Sequence, residues 1–206
     1  VEAAVVENGA RVILGEGLPY DRCSVGVVTN IVAEDEDLSR WDVQPTGGEY
    51  YTTHRSIYRT QVDVVLSSGH AVLNAGDSLV AEFAELCDGE VIFYAADPAC
   101  PALAEHLAAG KRGVYVSEGR ITLGTGTEEI RLCRLGDVPV IGKQKDPATI
   151  ANVLAAIAAG WAMDLSQEVI ATGVKTFGLE LPDPVALLPQ RARKSLPAKK
   201  PAAVRN

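Results

Sequence analysis

No Gly-x-x-x-x-Gly-Lys-Ser/Thr phosphate loop occurs anywhere in the chain. The backbone cradle and the lysine that such loops place around a triphosphate are therefore missing from this sequence. No Cys-x-x-Cys pair occurs either. Cys23, Cys87, Cys100 and Cys133 have no partnering histidine at zinc spacing, which excludes a zinc-stapled module and fits a reduced, cytoplasmic protein. No Gly-x-Ser-x-Gly elbow is present, and neither Ser24 nor Cys23 has an identifiable base, so independent covalent catalysis is not expected. His54, His70 and His106 share no motif spacing and read as surface or packing residues. A basic surplus is also lacking. The net charge of -8 argues against a nucleic-acid partner. The richest apolar stretch, 150–163, is alanine-heavy and shorter than the ~20 residues of a membrane span, so it reads as a packed helix with no membrane partner.

What remains is a chain of 206 residues with 47% hydrophobic content, enough for one sizeable core. The stretch 23–31 is valine-rich without alternation, as expected of a strand buried on both faces. Residues 2–7 read as a strand ended by Asn8-Gly9, and 10–18 as one or two helical turns. A long exposed loop is expected over 32–51, then a helix over 52–66 stopped by Ser67-Ser-Gly69. Residues 70–75, 78–87 and 91–96 form a strand–helix–strand unit, which requires a parallel sheet. Another helix follows at 101–109.

Short runs at 113–116, 120–123 and 129–133, separated by turn residues, predict a small antiparallel meander at the sheet edge. Gly124-Thr-Gly-Thr127 is read as its hairpin turn. Asp146-Pro147 has the form of a helix start leading into 148–163, and Ser166 caps a second helix to Thr176. The expected class is a layered, Rossmann-like α/β fold over 1–178. Residues 179–206, Pro-rich and basic, are expected to form a disordered tail. The chain opens on Val1 and on residues that already read as a strand, so the domain is expected to begin upstream, where a phosphate loop would lie.

Two strand exits carry polar residues, Asn30 and the run Ala71-Val-Leu-Asn-Ala-Gly-Asp77, which is where α/β enzymes place nucleotides. Together with Pro19-Tyr-Asp-Arg-Cys23, Arg59-Thr-Gln-Val-Asp-Val-Val-Leu66 and Asn152-Val-Leu-Ala-Ala-Ile157, these runs resemble the Mur-ligase-like domain of the cyanophycin synthetase family, from about residue 2 to residue 177. The resemblance implies a Mur-ligase central-domain fold and an ATP-dependent ligase. In that family an ATP-grasp region extends a polyaspartate backbone, and the Mur-like region joins arginine to aspartate side chains through an acyl phosphate. The ATP-grasp region, the phosphate loop and the C-terminal lid domain of the family have no counterpart in these residues.

The resemblance also assigns roles. Glu7, in Glu7-Asn-Gly-Ala-Arg-Val-Ile-Leu14, keeps the family's acidic residue but not its double glycine. It is a candidate magnesium ligand or a solvated strand-end carboxylate. Asp37, in Glu36-Asp-Leu-Ser39, stands at the histidine of the family's Asp-His-Leu-Gly, and is either a magnesium ligand or part of a solvated acidic loop. Asn74 and Asp77 match an Asn-Ala-Asp-Asp motif except at Gly76, and serve either a nucleotide pocket or local turn and cap geometry. Asn152 matches the second asparagine of a His-Asn-x-x-Asn pattern, implying an adenine contact, although Ala148-Thr149 replace its His-Asn. The expected cofactors are ATP and Mg2+. The expected partners are cyanophycin or polyaspartate polymer, missing ligase domains, or a second copy of the chain. Two functions follow: a fragment or degenerate relative of the ligase, inactive alone, or a non-catalytic domain that binds a nucleotide or another protein.

Overall fold

The computed structural model describes residues 3–31, 49–142 and 146–179. Its frame is one six-stranded sheet in the order β1-β2-β3-β4-β5-β6, built from Cys23–Val28, Val65–Asn74, Glu90–Ala95, Arg112–Ser117, Arg120–Thr125 and Glu128–Arg134. The first four strands are parallel, and β4, β5 and β6 continue antiparallel. The expected meander is thus continuous with the sheet, and its first strand also completes the parallel set. Its two turns follow from residues that accept positive φ: Glu118-Gly119 at φ 50 and 71, and Gly126 at φ 59.

Parallel strands need crossovers, and three are helical: α2 (Glu49–Asp63), a short α3 (Ser78–Ala81) running into a 3₁₀ turn at Glu82–Leu86, and α4 (Pro101–Ala108). Their apolar sides cover Ala71, Leu73, Phe93 and Tyr115 on one face of the sheet. Strand residues of the opposite parity, Val72, Ile92, Tyr94 and Val114, face α5 (Pro147–Ala162) and α6 (Gln167–Thr176). Burial on both faces is why these strands lack a polar alternation. Leu154 and Ile157 of α5 are wholly buried, each worth roughly 1.5–3 kcal/mol of transfer free energy. The start of α5 follows the sequence signal, since Asp146 accepts from Thr149 N–H at 2.8 Å and Pro147 takes the first turn. Ser166 caps α6 in the same way through Val169 N–H.

Three expectations are corrected. Residues 3–9 form no strand: they run irregularly into α1 (Ala10–Glu16), with Val5 95% exposed, because an extended run gains nothing without a ladder partner. The helix expected over 52–66 ends at Asp63, and Val65 instead opens β2. Ser67-Ser-Gly69 consequently lies inside that strand. The stop signal is expressed as an irregularity, since the register moves from Cys23↔Val65 to Val25↔His70 and β2 carries extra residues against β1. The third correction is local: residues 78–87 are not one helix but a helical turn and a 3₁₀ turn. The long loop expected over 32–51 lies outside the described residues as far as 48, and 49–51 are not loop but the first residues of α2; the tail lies outside the described residues from 180 onward. Among the described residues no helix is long and apolar enough to cross a membrane.

Two histidines belong to the packing, as expected. His54 is fully buried, and His106 donates from Nε2 to the Val91 carbonyl at 3.0 Å beside the Phe93 ring. Burial, with Lys111 adding to it, holds His106 below the usual imidazole range, which keeps it neutral. His70 is less enclosed, 3.7 Å from Glu90.

Candidate functional site

The parallel strands end together. Val28 aligns with Leu73, and Asn74 with Tyr94, so the exits of β1, β2 and β3 lie at one level. Beyond that level the ladder can no longer hold the chain leaving β1, and side chains from β2 and β3 take over. Asn74 donates from Nδ2 to the Thr29 carbonyl at 2.8 Å, and Tyr94 donates its hydroxyl to the same oxygen at 3.3 Å. Asp77 accepts the Ile31 N–H on Oδ2 at 3.0 Å. Asn30 stands between these anchored residues and is exposed.

Both residues expected at this exit are also bound locally. Asn74 Oδ1 accepts Gly76 N–H at 2.9 Å, closing an Asx turn, while Asp77 Oδ1 caps α3 by accepting Leu79 and Val80 N–H at 3.0 and 3.3 Å. Each oxygen of Asp77 therefore already has a backbone donor. Tyr94 is wholly buried, and burial together with the nearby Asp77 charge drives its pKa well above the ordinary phenol value. Its hydroxyl stays a proton donor at any working pH.

Asn152 reaches the same end of the sheet by another route. The C-terminal half of α5 lies low, because Trp161 packs against Arg112 at the start of β4, 5.1 Å from guanidinium carbon to ring centre. Ala155, Ala156, Ala159 and Met163 line a cavity with residues 23–27 of β1. The helix thus runs antiparallel to the strands, which carries its N-terminal half toward their exits. Asn152 is exposed and lies one turn before Ala156 on the stripe that continues to Ala159 and Met163. That stripe overhangs the outer edge of β1.

The outer edge is open. Among the described residues no strand pairs with the side of β1 away from β2. A cavity of about 610 Å³ occupies that place, bounded by the irregular residues 3–6, Tyr20, Arg22, Gln61 and the α5 stripe. Unpaired N–H and C=O groups on a valine-rich edge are ready to accept another strand.

Of the two candidate metal ligands the described residues include one. Glu7 is exposed in the irregular segment before α1, not at a strand end, and Asp37 lies outside the described residues. Among the described residues no group of three or more His, Cys, Asp or Glu side chains could hold a metal ion by itself. The sequence reading missed Tyr94. The available signal was a single phenol at the end of an otherwise apolar strand, where a buried hydroxyl must find a partner.

No family model matches the chain. Similarity to curated proteins is nevertheless extensive: the chain is 33% identical over 177 residues to cyanophycin synthetase of Synechocystis sp., 32% over 177 residues to that of Geminocystis herdmanii, and 32% over 179 residues to that of Crocosphaera subtropica. Each match covers 86% of this chain and 20% of the relative. The chain therefore spans about a fifth of the length of the curated relatives it matches and is similar to one region of them.

Proposed function

We propose, on the premise that the chain is the counterpart of that one region of a cyanophycin synthetase, that it forms the nucleotide-facing side of a Mur-type ligase site. The parent activity is ATP-dependent joining of arginine to aspartate side chains of a polyaspartate polymer. The observation that supports this reading is that two separate elements are directed toward one end of the sheet. The locked exit of β1 and the α5 stripe bearing Asn152 lie at the same end of the sheet, beside an unpaired edge.

Asn152 supplies an amide able to read the donor–acceptor edge of adenine, and Asn74 with Asp77 completes the floor of the pocket. The phosphate cradle is supplied from outside these residues. Its natural seat is the open edge of β1, which makes the remaining ligase structure the principal partner and the polymer the substrate partner. A second copy of the chain is the competing occupant of that edge. Glu7 and Asp37 are the residues that would hold the nucleotide's magnesium once the cradle is present, where the ion would neutralise phosphate charge.

Phosphoryl transfer rests on positioning and electrostatic stabilisation, so a chain without cradle and lysine loses most of both. The purified chain is accordingly expected to release no phosphate from Mg·ATP above the uncatalysed background, with or without arginine and polyaspartate, in a coupled phosphate assay. Turnover by the chain alone would contradict this assignment.

A second reading is favoured by one specific observation. The oxygens of Asp77 and the amide of Asn74 are already engaged by backbone partners, as in a domain whose exits serve the fold rather than a ligand. On that reading the chain is a non-catalytic interaction domain, and nucleotide has no effect on it.

A further inference from the structure

We infer that Asn74, Asp77 and Tyr94 act as a clamp on residues 29–31 whose purpose is to present Asn30 to the nucleotide, so that Asn30 rather than Asn74 or Asp77 makes the contact at this exit. The inference rests on the nucleotide reading above and changes which residue touches the ligand.

The geometry of the exit carries it. The Thr29 carbonyl accepts two side-chain donors, Asn74 Nδ2 at 2.8 Å and the Tyr94 hydroxyl at 3.3 Å, which uses both of its lone pairs. The Ile31 N–H is taken by Asp77 at 3.0 Å, and the Ile31 side chain is buried at 7% exposure. The peptide units on both sides of Asn30 are therefore fixed by groups from β2, the turn after it, and β3. A simple turn leaving a strand needs no such investment, because solvent satisfies exposed carbonyls at little cost. Asn30 itself is exposed, and its side chain makes no hydrogen bond among the described residues. Its amide offers two donors and one acceptor oxygen, suited to phosphate oxygens or ribose hydroxyls of a nucleotide. After these backbone bonds Asn74 keeps one N–H and one lone pair, and Asp77 one lone pair, whereas the Asn30 amide is wholly free among the described residues. Asn74 and Asp77 are positioning residues, and so is Tyr94.

The test is a titration of the uniformly labelled full chain with Mg·ATP, following side-chain amide and backbone resonances by NMR. The variants are Asn30→Ala, Asn74→Asp and Tyr94→Phe. Asn74→Asp keeps the acceptor for Gly76 N–H but replaces the donor to Thr29 by a charged acceptor, so Tyr94→Phe, which removes the other donor to Thr29 without adding charge, is read beside it. Saturating Mg·ATP is expected to shift the Asn30 side-chain amide and the Ile31 backbone amide. Asn30→Ala and Asn74→Asp are each expected to weaken binding about fivefold, the loss of one hydrogen bond. In an Asn30→Ala background, Asn74→Asp is expected to have no further effect on affinity, although its thermal midpoint still falls. A merely structural Asn74 would lower the midpoint equally in both backgrounds without this non-additivity. Shifts around Asn152 with none at Asn30 or Ile31 would overturn the clamp and leave the nucleotide reading standing. No shift anywhere at millimolar Mg·ATP would overturn both.

Discussion

Tyr94→Ala is expected to lower the free energy of unfolding by about 3–5 kcal/mol, and Tyr94→Phe by about 1 kcal/mol, in urea unfolding followed by circular dichroism. Tyr94 is among the largest wholly buried side chains and packs with Val72, Ile92 and Val114 beneath α5. Truncation leaves a ring-sized cavity in the layer that joins α5 to the sheet. Against the ~5–15 kcal/mol that holds a domain together, such a loss brings the chain near its folding threshold. The phenylalanine variant keeps the ring and removes only the hydroxyl. The Thr29 carbonyl is not orphaned, since Asn74 still donates to it, and the loss stays near that of one neutral hydrogen bond. A small effect of the alanine variant would contradict the placement of Tyr94 under α5.

Gly26→Ala is expected to destabilise by about 1–3 kcal/mol in the same measurement. A Cβ at this position would stand 2.5 Å from the Gln61 carbonyl oxygen and 2.7 Å from Val65 Cγ2. The oxygen belongs to the backbone of α2, which cannot move aside as a flexible side chain could. The helix must lift from β1, disturbing the strand whose exit forms the candidate site. Gly136→Ala is the control, because a Cβ there meets nothing within 4 Å, and its effect is expected within ~0.5 kcal/mol.

Much of this fold was legible where local chemistry and burial agree. Asp146-Pro147 announced α5 and Ser166 announced α6 because a cap is a short-range event written in adjacent residues. The valine-rich run of β1 and the strand–helix–strand pattern around β2 and β3 announced a parallel sheet, because strands covered on both faces need not alternate and such crossovers join parallel strands. The failures have the opposite character. Residues 3–7 carry strand chemistry, but a strand exists only with a partner, and these residues join none of the six strands of the sheet. Ser67-Ser-Gly69 carries stop chemistry, yet it becomes an irregularity within β2, because Val65 on one side and His70 on the other are both held in register by β1.

The site was legible to the same degree. Asn74 and Asp77 were found as the residues of a strand exit, and the structure shows what the sequence left open, that their polar atoms are bonded to backbone at residues 29, 31, 76, 79 and 80. The link from Tyr94 to Thr29 spans 65 residues, and nothing in either local sequence marks it. Placement of Asn152 beside the open edge depends on the direction of α5 across the sheet, which is a tertiary property.

The central claim is that these residues form the nucleotide-facing side of a ligase site whose phosphate cradle lies outside them, and calorimetry of the chain with Mg·ATP, run beside Asn152→Ala, tests it most directly. The account predicts weak binding by the wild-type chain, with a Kd in the millimolar range, weakened about fivefold or more by Asn152→Ala while the thermal midpoint is unchanged. Binding of equal strength in the two proteins, or no heat from either, would contradict it.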